Sequence, residues 1–75
     1  MRRFYIYAGT HEQARTLANL MELQPQEWSY VIDVGTLMGL RNKVILCYGT
    51  VWDRDDVDRF MEMVKTREHK LLYIK

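Results

Sequence analysis

The residues that could do chemistry are few, and their spacing is suggestive at one place only. Gly9-Thr10 and Gly49-Thr50 each follow an apolar run, and each precedes a segment with helical character. Glycine after a strand lets the backbone approach a ligand. Threonine at a helix start leaves free backbone N–H groups that favour a phosphate or a carboxylate. Trp52, two residues after the second pair, would offer an aromatic face to such a ligand, and Arg41 a counter-charge. The same residues also have a plain structural meaning, because glycine makes turns and threonine caps helices. Neither GxGxxG nor GxxxxGK[ST] is present. Asp53, Asp55, Asp56 and Asp58 suggest a cation site at first sight. Counted from Asp53, however, the sixth position is Asp58 and the twelfth Val64, where a calcium loop needs Gly and Glu. Helix-start charge is the simpler reading of these acids. His11 sits at a helix start, His69 is remote from it in sequence, and Cys47 lies in an apolar strand as an inert packing residue. No nucleophile can be paired with a base, and no metal or cofactor is implied.

These residues must be positioned by a regular alternation of elements. Phe4 to Ala8 is apolar on both pleat faces, as in a strand covered on both sides. Thr10 and Gln13 form a capping box that starts a helix from about His11 to Glu22, with Ala14, Leu17, Ala18 and Met21 on its inner face. Pro25 marks a loop. Trp28 to Ile32 is the second strand, with Trp28 in the core, and Asp33 caps a short turn through Thr36, Leu37 and Met38 that Gly39 stops. Val44 to Tyr48 is the third strand. Asp53 and Asp56 cap the next helix, whose stripe is Val57, Phe60, Met61 and Val64. Arg54 with Asp58, and Asp55 with Arg59, have the i,i+4 spacing of helical ion pairs. Trp52 precedes this helix, either as a hydrophobic staple or as a contact residue. Lys70 to Lys75 is a fourth strand bracketed by lysines, as an edge strand often is.

The expected fold is therefore α/β, Rossmann-like: a small, mainly parallel sheet in the order 2-1-3-4 with two main helices. The first and third strands are then neighbours, and both Gly-Thr turns open at the carboxyl edge. That is the topological switch point where open α/β sheets bind ligands. Ile6, Leu17, Val31, Ile45, Phe60 and Val64 are expected to share one core. Arg2, Arg3, Lys70 and Lys75 fall at strand ends and edges, in solvent.

Seventy-five residues make one domain, 1–75. Eleven basic against ten acidic residues, net +1, speak against a dedicated duplex-DNA binder. One cysteine permits no internal disulfide. The apolar runs are too short for a membrane span or a signal-peptide core, so the cytoplasm is the expected location.

The chain also carries Tyr-Ala-Gly-Thr-x-x-Gln-Ala-Arg (Tyr7 to Arg15), Glu27-Trp28-x-Tyr30-Val31, Leu37-x-Gly39-Leu40-Arg41, and Tyr48-Gly49-Thr50 followed by Arg54 and Asp56. This pattern, over nearly the whole chain, resembles small orphan proteins of tailed bacteriophages, especially those of actinobacteria, which have no established function. Asp55 stands where that pattern would have proline. The segment Phe4 to Leu20 is also similar to the strand-Thr-helix that opens the second RecA-like domain of helicases, but the arginine-bearing motif of that domain is missing. The resemblance implies a phage accessory protein in the host cytoplasm. The expected activity is non-enzymatic binding of a host or phage protein, with a homodimer formed through the last strand or an exposed helix face. The alternative is a binder of a nucleotide or similar anion at Gly9, Thr10, Arg41, Gly49, Thr50 and Trp52.

Overall fold

A computed structural model describes residues 3–74, so Arg2 and Lys75 lie outside the described residues. Four strands are present: β1 (Phe4–Ala8), β2 (Trp28–Tyr30), β3 (Val44–Tyr48) and β4 (Lys70–Ile74). They form one sheet in the order β2-β1-β3-β4, parallel at every pairing. The two helices are α1 (His11–Leu20) and α2 (Val57–Thr66). The expected α/β topology is thus the observed one.

The two crossovers that carry α1 and α2 lead outward from the central pair in opposite directions. With right-handed connections they place α1 and α2 on opposite faces of the sheet. Alternate residues of each central strand therefore enter different cores. Ile6, Ala8 and Leu46 pack against Ala14, Leu17 and Ala18 of α1. Tyr7, Ile45 and Cys47 pack against Phe60 of α2, with Val31, Leu37 and Val51 completing that layer. The single core expected from the sequence is corrected to two. Ile6 and Leu17 belong to one, Val31, Ile45 and Phe60 to the other, and Val64 is only partly buried.

Several boundaries also differ from expectation. α1 stops at Leu20 because Glu22 turns left-handed, φ 56°, and the Leu23 N–H closes back on the Ala18 carbonyl. Met21 is consequently exposed. β2 ends at Tyr30, leaving Val31 buried and Ile32 70% exposed. Trp28 is half-buried and packs against the core on the α1 face, as expected. α2 begins only at Val57, after a separate 3-10 turn over Val51–Asp53. Arg54 and Asp55 therefore precede the helix, and the expected pairs Arg54–Asp58 and Asp55–Arg59 have no helical frame to form on. Asp33 and Asp56 occupy helix-start positions but make no side-chain cap bond.

Candidate functional site

The two Gly-Thr turns lie side by side at the carboxyl edge, as Tyr7↔Cys47 and Ala8↔Tyr48 pairing requires. Their approach is close enough that neither glycine can carry a side chain. A Cβ on Gly9 would overlap Thr50 Oγ1 and lie 2.9 Å from the Thr50 carbonyl oxygen. A Cβ on Gly49, which has φ 77°, would overlap the Gln13 amide. Thr10 caps α1 as expected, its hydroxyl accepting from the Gln13 N–H at 3.1 Å. The other half of the expected capping box is absent. The Gln13 side chain instead crosses to the second turn, where Oε1 accepts from the Thr50 N–H at 3.1 Å. The crevice between the turns is thus filled by the chain's own amide, and a donor expected for an anion is already bonded.

Arg41 is not at this edge. The neighbouring Asn42 N–H donates to the Arg67 carbonyl at 3.2 Å, and the Lys43 N–H donates to His69 Nδ1 at 3.0 Å. That places the segment at the amino edge, the far end of the sheet from both turns. Trp52 is at the carboxyl edge and 64% exposed. It does not staple α2. Its ring stacks on Tyr73 of β4, centroids 6.3 Å apart and 12° from parallel.

The arginine at the carboxyl edge is Arg54, and its chemistry is saturated. All five guanidinium N–H groups have acceptors. Nε and Nη2 donate to Asp56 Oδ1 and Oδ2 at 3.0 and 3.1 Å. Nη1 donates to the carbonyls of Ala8 (2.8 Å) and Val31 (2.9 Å), and Nη2 also to that of Ile32 (2.7 Å). The Tyr7 hydroxyl donates to Asp56 Oδ1 at 2.6 Å. Arg54 lies over the Tyr7 ring at 4.0 Å, and the ring's other face stacks on Phe60 at 3.6 Å. Burial pushes the Asp56 carboxyl upward, but the bonds from Tyr7 and Arg54 and the Arg54 charge outweigh it and hold Asp56 below its usual range. Burial, reinforced by the Asp56 bond, raises the Tyr7 phenol well above its ordinary value. This cluster ties the ends of β1 and β2 to the start of α2 and leaves no donor for a ligand.

Above it lies an open depression of about 430 Å³, lined by Gly9, Tyr30, Ile32, Arg54 and the carboxylates Asp53, Asp55 and Asp56. Asp53 and Asp55 are exposed, so the floor of the switch point is acidic. His11 is exposed at the start of α1, as a solvated helix-start residue would be, and its ring lies flat on Tyr30, centroids 5.0 Å apart. Cys47 is buried, and burial pushes its thiol up to about 12, so it is protonated at neutral pH. Among the described residues no group of three or more His, Cys, Asp or Glu could hold a metal ion, and no helix is long and apolar enough to cross a membrane.

Sequence reasoning missed Tyr7, Arg54 and Asp56 as a structural unit, and missed the bond from Gln13 to Thr50. The available signal was Tyr7, whose hydroxyl in an otherwise apolar central strand must find a buried partner. No protein-family model, no curated protein and no solved structure matches this chain.

Proposed function

We propose that this chain is a small phage accessory protein that works without catalysis, by binding a host or phage protein in the infected cell's cytoplasm. One surface carries the reading. At the carboxyl edge the exposed Ile32 lines the depression with the carboxylates Asp53 and Asp55, and the exposed Trp52 precedes Asp53 in the same 3-10 turn. Large exposed apolar groups beside charge are typical of protein contact surfaces. The acids select a partner that presents Lys or Arg next to apolar side chains. The motif resemblance to orphan phage proteins supports the setting. The chain also associates with itself, through the open edge of its sheet.

The nucleotide alternative finds less support. The turns do meet, but Gln13 fills the space between them, Arg41 is remote, and the acids repel an anion. Two measurements separate the readings. Affinity capture from host and phage lysates is expected to retain a protein on the parent chain and to lose it on Trp52→Ala and Asp55→Lys. Titration with nucleotides to millimolar concentration is expected to leave the amide NMR signals of Gly9, Thr10, Gly49 and Thr50 in place. Saturable shifts at those four amides, with no variant-sensitive capture, would overturn the protein-binding reading.

A further inference from the structure

The two edges of the sheet are treated differently by the fold. The β2 edge is only three residues long and is entered through the Pro25–Glu27 turn. It is closed at its exit, where Arg54 holds the Val31 and Ile32 carbonyls. The β4 edge is five residues long, Lys-Leu-Leu-Tyr-Ile, apolar after the exposed Lys70, and no element covers it among the described residues. An edge of that kind is a template for another strand.

Its hydrogen-bonding groups specify the register. The Lys70 N–H donates to the Lys43 carbonyl at 2.8 Å, and Lys70 pairs with Val44. In a parallel ladder, alternate residues turn both backbone groups to the same neighbour. Lys70, Leu72 and Ile74 therefore face β3, and the N–H and C=O groups of Leu71 and Tyr73 point outward. These two residues are symmetric about Leu72.

Resting on the self-association assigned above, we propose that two copies pair β4 against β4, antiparallel, on a two-fold axis through Leu72. Leu71 of each copy then exchanges both backbone bonds with Tyr73 of the other, so every outward group from Leu71 to Tyr73 is satisfied. The result is one continuous eight-stranded sheet, closed and isologous. Leu72, 39% exposed, meets its own counterpart on the α1 face. On the α2 face Tyr73, with Trp52 stacked on it and Met61 beneath its hydroxyl, meets the second copy's Leu71.

Charge complementarity points to a second copy rather than a foreign strand. The two α2 helices run antiparallel across this axis, on the same side of the joined sheet. The exposed groove along α2 is lined by Asp58, Met61, Glu62, Lys65 and Thr66. Asp58 and Lys65 lie symmetrically about Met61 and Glu62, so a two-fold axis at that level sets each copy's Asp58 opposite the other's Lys65, with the two Glu62 carboxylates nearest the axis in solvent. A net charge of +1 per chain adds little repulsion.

Sedimentation of the parent chain at high micromolar concentration is expected to show twice the 9.1 kDa chain mass. Leu72→Glu, which sets two like charges about 4.5 Å apart at Cα across the axis, is expected to sediment as a folded monomer, as is Leu72→Lys. An equimolar mixture of the two variants is expected to restore the dimer. Leu72→Cys is expected to form an intermolecular disulfide on mild oxidation and Tyr73→Cys none, because only position 72 meets itself. A parent chain that stays at 9.1 kDa would overturn self-association altogether. A dimer that survives Leu72→Glu, or one that cross-links through position 73, would overturn this register while leaving self-association intact. Asp55→Lys is expected to leave the dimer unchanged, which separates the result from that of partner capture.

Discussion

At the residue scale, the chain invests its most demanding polar chemistry in holding itself together. Arg54 and Asp56 are about nine-tenths buried as side chains, and a pair of this kind is costly to break because the remaining charge is left in low dielectric. Arg54→Ala is expected to destabilise the fold by about 3–5 kcal/mol, read as a fall in the urea midpoint. Arg54→Lys is expected to recover little of it, since an ammonium cannot serve five acceptors arranged around a planar fork. His69 is a second buried polar group with a measurable signature. Its Nδ1 accepts from the Lys43 N–H, so the ring is neutral with its proton on Nε2, which has no partner. Burial, then the charges of Arg67 and Lys43, hold its pKa below the ordinary value. The unfolded chain thus takes up this proton first. The stability from a neutral His69 is complete above about pH 6.5. It declines as the pH falls from there through the lower folded value. Urea midpoints measured between pH 7 and pH 5 are expected to fall for the parent chain and to stay nearly flat for His69→Asn, whose amide oxygen can accept the same bond. The Asp56 contribution belongs to a separate window, because its folded value is lowered. It is present above about pH 3.8 and is lost in stronger acid.

At the scale of elements, the junction of the two strand-turn-helix units is the tightest point of the fold. Gln13 stitches the start of α1 to the turn after β3, and both glycines leave room for that stitch. Gly9→Ala is expected to cost about 1–3 kcal/mol by overpacking. Adding Gln13→Ala should not rescue it, since the Thr50 backbone oxygen still obstructs the new Cβ. For Gly49→Ala the same second change is expected to remove the steric part and to leave only the cost of a positive φ. A double-mutant cycle on thermal or urea unfolding therefore has opposite outcomes at the two glycines. Equal rescue at both would show that Gln13, rather than the backbone, sets the spacing of the turns.

At the scale of the whole molecule, a domain of this size has a thin core, here divided between two faces of one sheet. Pairing at β4 would couple folding to association. The melting temperature is then expected to rise with protein concentration for the parent chain and to be independent of it for Leu72→Glu. The strand-turn-helix order, the parallel sheet and its 2-1-3-4 arrangement were all determined by the sequence alone. Apolar runs at Phe4–Ala8 and Val44–Tyr48, turn residues after each and helical stripes between them are local signals that place the elements, and the crossover rules of parallel sheets supply their order. Burial of Cys47 followed from the same pattern. What the tertiary structure alone decided is how polar groups are shared between distant segments. Gln13 leaves its own helix cap for Thr50. Arg54 abandons the i,i+4 pair that its spacing suggests and takes the carbonyls of Ala8, Val31 and Ile32, with Asp56 as counter-charge. Arg41 and Trp52 go to opposite edges of the sheet. The physical reason is that a side chain's hydrogen-bond partner is chosen by what lies within about 3 Å after folding. Spacing along the chain limits that choice only inside a regular element.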